Sequence, residues 1–198
     1  EFKPAIKTGE RKPTVLDLNK LVVASRKALA GVLAGDRETE AAMKNLIQVG
    51  TSAGGTRAKA VIAWNPITQE IRSGQLPADE GFEHWLIKFD GVGADHELGA
   101  GGDHGRIEYA YHLMATAAGI PMTHCRLLEE RGRAHFMTQR FDRDGDAKHH
   151  VQTLCAMNHL DFKQRATHDY SQLFLAIDQL GLGPDAREDT FRRMVFNV

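Results

Sequence analysis

The sequence is poor in cysteine. Its 198 residues hold two, Cys125 and Cys155, far apart in the chain. That excludes a disulfide scaffold and a cysteine-based zinc site, and it suits two free thiols in a reducing, cytoplasmic compartment. No apolar run approaches the roughly 18–20 residues that span a bilayer, and no signal peptide is visible, so no membrane partner is expected. Charge of one sign is also lacking: 25 Lys and Arg stand against 26 Asp and Glu. Without an overall basic field, direct nucleic-acid binding would need a local patch. Ten histidines are present, but none form HxxxH or HExxH pairs, and His149 and His150 are merely adjacent. No metal site is expected from them. Repeats and low-complexity tracts are absent too.

What is present is an ordinary globular composition, 42% hydrophobic and 26% charged, long enough to bury a real core. After an extended lead-in, Asp17 caps an expected helix to about Leu33, and a second follows to about Ile47. Ala58–Trp64 and His84–Phe89 read as strands, separated by an Asn65-Pro66 turn signal. Gly91–Gly105 reads as a loop. Arg106–Ala118 reads as an amphipathic helix with Ile107, Ala110, Tyr111, Met114 and Ala118 on its apolar face, ended by Gly119 and Pro121. Met122–Leu128 and Ala134–Phe141 form an expected antiparallel hairpin. Helical segments follow near 152–159, 169–180 and 185–197. The fold class is therefore α+β, with the sheet in the first two-thirds.

Three places carry chemistry. Gly50-Thr51-Ser52-Ala53-Gly54-Gly55-Thr56-Arg57-Ala58-Lys59 is either a tight glycine turn or a loop whose backbone N–H groups approach phosphate oxygens. It is neither a Walker A loop nor GxGxxG. Lys88 sits in an apolar strand: Ile87 and Phe89 face one way, Leu86 and Lys88 the other. It is a solvated lysine or one that holds nucleotide phosphates, braced by Glu108 in the first turn of the next helix. Thr138-Gln139-Arg140-Phe141-Asp142-Arg143 runs from a strand into a polar turn, either as a solvated end with Asp142 paired to an arginine or as a connection between lobes.

In that order, these segments resemble the HipA family of serine/threonine kinases, the toxin halves of bacterial toxin–antitoxin pairs. The loop from Gly50 to Ala60 is similar to that family's GSSxGGARPKA, the strand of Lys88 to its nucleotide-lysine strand, and Arg140-Phe141-Asp142-Arg143 to its RFDR segment. Glu108-Tyr109-Ala110 opens the corresponding helix. The resemblance implies a protein-kinase-like N-lobe with an antiparallel sheet over 49–143, a lead-in over 1–48, and the start of a helical C-lobe over 144–198. It implies ATP as cofactor, bound by Ala53, Gly54, Gly55, Lys59, Lys88, Glu108 and the adenine contacts Gln139, Arg140 and Phe141. Ser52 would be an autophosphorylated loop serine. Implied partners are a HipB-like DNA-binding antitoxin, through which alone DNA is met, and a protein substrate such as an aminoacyl-tRNA synthetase.

Thr56 and Ala58 depart from the family's commonest loop residues without removing a needed charge. No catalytic residue is expected within the chain. The family's catalytic aspartate and its Mg²⁺ ligands are expected beyond Val198, so the chain reads as an internal fragment with little kinase activity of its own. The alternative is a non-catalytic module that binds nucleotide or a partner.

Overall fold

The computed structural model describes residues 59–198 apart from 75–76, 78, 91–102, 131, 146, 162–163 and 165–166. The helices expected before residue 48, the phosphate-loop residues 49–58 and most of the 91–105 loop lie outside the described residues.

Strand β1 (Lys59–Trp64) is buried at every position after Lys59, so its sequence shows an apolar run rather than alternation. The Asn65 carboxamide then accepts the N–H groups of Ile67 and Thr68. That Asx turn, with Gln69 at φ 61°, returns the chain to β2 (Ile71–Ser73), a strand too short to be read from sequence. Strands β3 (Glu83–Lys88), β4 (Cys125–Glu130) and β5 (Arg133–Gln139) complete the described sheet in the order β2-β1-β3-β5-β4. All pairs are antiparallel, and the expected β4–β5 hairpin is present. A small ribbon, β6 (Arg143–Asp144) with β7 (Ala147–Lys148), follows and was not expected.

The register sorts the side chains onto two faces. One carries Ala60, Ile62, Trp64, Ile71, Trp85, Ile87, Phe89 and Met137, which form the core. Trp64 and Trp85 are fully buried and meet edge to face at 5.8 Å between centroids. Side chains of this size contribute about 1.5–3 kcal/mol each when fully buried. The opposite face carries Lys59, Lys88 and Phe136 at one level of the ladder.

Helix α1 (His104–Ala117) covers that second face. Its approach is set by Gly105: a Cβ there would lie 1.9 Å from the carbonyl oxygen of Ala134 and 3.1 Å from the amide of Phe136. Only glycine lets a helix rest on strand backbone this closely. The buried helix residues are Gly105 and Ala115, whereas Ile107, Tyr111 and Met114 are about half exposed. The apolar face expected from sequence is thus not the one that packs, because close contact selects small residues and the larger ones stay outside. The helix also starts at His104, earlier than expected, which puts Glu108 in its second turn. It ends in a Schellman motif, with Ile120 N–H donating to Ala115 O and Gly119 N–H to Thr116 O, Gly119 lying at φ 73°.

The strand end and the helix start are clasped. The Asp90 N–H donates to His135 Nδ1 at 2.9 Å, and the Asp90 carboxylate accepts the Asp103 N–H at 3.1 Å. Helices α2 (Leu154–Met157), α3 (Tyr170–Gln179) and α4 (Gly183–Asn197) form the rest. Thr153 and Asp169 cap the first two by accepting backbone N–H groups. Pro184 sits in the first turn of α4, where its missing N–H costs nothing. The molecule is α+β. Among the described residues no helix is long and apolar enough to cross a membrane.

Candidate functional site

Strand alternation turns Lys88 toward α1, and the tight Gly105 contact brings Glu108 within its reach. Lys88 Nζ and Glu108 Oε2 are 2.5 Å apart, their side chains 34% and 24% exposed. Lys59 stands directly across the ladder from Lys88, so their Cβ atoms are about 4.5–5.5 Å apart. Burial, then the Lys88 charge, lowers the Lys59 ammonium from the ordinary lysine range, and Glu108 offsets part of this. Among the described residues two ammonium groups therefore stand beside one carboxylate, an arrangement suited to an anion. The Lys88 ammonium also lies 5.8 Å from the Phe136 ring centroid, within the range of a cation–π contact.

Beside this cluster lies a cavity of about 480 Å³ whose walls include Lys88, Glu108, His112, Phe136, Thr138 and Arg193. The Thr138 hydroxyl is engaged by the Thr123 hydroxyl at 2.9 Å. Cys125, next along β4, is buried, and its thiol donates to Thr123 O. Burial pushes that thiol up, so it is not an activated nucleophile. Both cysteines are free.

The third expected segment is built on an ion-pair clamp. Buried Asp142 accepts from Arg140 Nε at 2.8 Å and Nη2 at 2.5 Å, and from Arg143 Nη1 at 2.7 Å. The Arg140 hydrogen bonds, ahead of the Coulombic pull of both arginines, hold its carboxyl below the usual aspartate range. The backbone N–H of Arg140 donates to His84 O, and that of Gln139 to His124 O. Phe141 is 72% exposed.

The structure thus brings Lys59, Lys88 and Glu108 together. Gln139, Arg140 and Phe141 lie at the far end of β5, and none of the three lines the cavity. Because Phe136 pairs with Lys88, Gln139 is three residues along the strand, about 10 Å away. Ser52, Ala53, Gly54 and Gly55 are outside the described residues. Sequence reasoning missed Phe136, His112 and Arg193, and read Thr138 only as the start of the segment running to Arg143. Only strand register and helix packing bring Phe136, Thr138 and His112 to the cavity, and Arg193 comes from a helix far along the chain. Among the described residues, no group of three or more His, Cys, Asp or Glu side chains could hold a metal ion.

A family model described as the HipA-like C-terminal domain matches residues 51–198, which include every described strand and helix. No curated protein and no solved structure gives a significant match.

Proposed function

Because the chain belongs to the HipA-like C-terminal domain family, we propose that it supplies the nucleotide-holding part of an ATP-dependent protein serine/threonine kinase. The observation that carries this is the Lys88–Glu108 ion pair opposite Lys59. A carboxylate-braced lysine is what a kinase uses to fix ATP phosphates, since phosphoryl transfer depends on positioning and on neutralising charge. In this reading the phosphates lie at the level of Lys88 and the adenine about 10 Å along β5, near residues 139–141.

In this proposal the segment Ser52–Gly55 closes over the phosphates through its N–H groups. Phosphorylation of Ser52 would add about two negative charges and repel the nucleotide. The part proposed for the described residues is to hold the nucleotide, and no transfer step is assigned to them. The wider role proposed is growth arrest by phosphorylating a translation protein such as an aminoacyl-tRNA synthetase, neutralised by a DNA-binding antitoxin.

Calorimetric titration of the chain with ATP tests the proposal. Lys88→Met removes a charge-assisted contact, and a loss of about tenfold or more in affinity is expected. A wild-type chain that does not bind ATP, or a variant that binds equally well, would overturn it. The Lys88–Glu108 pair opposite Lys59 serves equally in a second reading, a non-catalytic module that binds nucleotide or a partner. Transfer of radiolabelled γ-phosphate to protein separates the two.

A further inference from the structure

Helix α1 is fixed at one end by the Gly105 contact with β5. Buried Ala115 also rests on the sheet, and Arg106 pairs with Glu129 of β4 at 3.0 Å. A roll about this line of contact would still carry the Glu108 carboxylate away from Lys88. A further constraint, against that roll, lies just past the other end. Arg193 Nη2 donates to the carbonyl of Pro121 at 2.5 Å, and Arg192 Nη1 to that of Gly119 at 3.4 Å. These two carbonyls flank Ile120, which is 4% exposed. Each arginine is tethered on α4 by a carboxylate four residues back. Arg193 Nε donates to Asp189 at 2.8 Å, and Arg192 pairs with Glu188. The rest of each guanidinium fork is thus aimed at the α1 turn. An edge-to-face contact between Tyr111 and Phe196, 6.4 Å between centroids, lies beside this joint.

Arg193, Glu108 and Lys88 all line one cavity. The Arg193 and Arg192 side chains are 43% and 49% exposed, so their bonds form a weak joint rather than a core contact. Its acceptors are backbone carbonyls, so the arginines are what a sequence can vary.

We infer that Arg193 is a positioning residue: it ties α4 to the end of α1 and so holds Glu108 on Lys88. The paired lysine then depends on docking of the helical segment. The functional meaning of this rests on the nucleotide proposal, but the joint can be tested without it. Acylation of Lys88 Nζ by an amine-reactive reagent, read by mass spectrometry on the full chain, reports whether the ion pair is closed.

Glu108→Gln removes the partner and should raise Lys88 labelling about two- to fivefold, the range of a partly exposed ion pair. Arg193→Met should raise it in the same direction, and Arg193→Lys, which keeps one donor for Pro121 O, should restore it. Should Arg193→Met unfold the chain, Asp189→Asn loosens the same fork and should give a smaller rise. Lys88 labelling that responds to Glu108→Gln but not to these variants overturns the inference, as does labelling indifferent to Glu108→Gln. If the labelling responds as expected but ATP does not protect Lys88 in the wild type, the joint stands and the nucleotide proposal falls.

Discussion

The two faces of the sheet solve different problems with the same strands. On the core face, Trp64, Trp85, Ile62, Ile87 and Met137 are fully buried, and stability comes from apolar area removed from water. On the α1 face, two lysines stand opposite each other beside one glutamate, an arrangement that costs folding energy, since like charges directly across a ladder repel. A helix that only needed to cover the sheet would place its large apolar residues there. Instead Gly105 and Ala115 make the contact and Glu108 reaches the cluster. Under the proposed function the second face is shaped around a nucleotide, and the first supplies the stability for it.

Three substitutions would break or sharpen this contrast. Gly105→Ala pushes a methyl into strand backbone and should destabilise the chain by about 3 kcal/mol in denaturant unfolding. A near-neutral result would mean that α1 does not rest on β5 as described. Asp142→Asn, at the edge where the faces end, should cost about 2 kcal/mol at neutral pH through its arginine hydrogen bonds. Because the folded carboxyl titrates below its unfolded value, near 3.9, its contribution is complete above that value. It is lost as the pH falls through the folded one. The difference between Asp142→Asn and wild type should therefore shrink in acid; a constant difference would argue against the clamp.

Lys59→Met should do the least to stability and have the opposite sign. It relieves the repulsion and should stabilise the fold by about 0.5 kcal/mol while weakening ATP binding. The folded Lys59 value is depressed, so the penalty it removes holds below that value. The penalty fades as the pH rises toward the ordinary lysine value near 10.4. Thermal melts across pH, with ATP titration alongside, check both signs. Destabilisation by Lys59→Met would make the lysine structural.

The parts legible in the sequence were those whose signal is local. Apolar runs marked β1 and β3, alternation turned Lys88 away from Ile87, and Gly119-Pro121 marked the end of α1. The residues leave Lys88 either solvated or braced by Glu108, and the geometry brings the two together. What failed depended on packing. Ile107, Tyr111 and Met114 lie at helical spacing, yet the contact uses Gly105 and Ala115, whose small side chains carry almost no hydrophobic signal. Phe136 and Thr138 became part of the site through register, which no single strand encodes. The Arg193 contact spans 72 positions and ends on a backbone carbonyl, so nothing in the residues near Pro121 announces it.

The clasp between Asp90 and Asp103 has an experimental consequence. It fixes where the chain leaves β3 and where it enters α1. The Asp90 and Asp103 amides are each held by a side chain, outside the strand and helix ladders. Their deuterium exchange therefore reports the opening of this joint separately from the opening of the sheet.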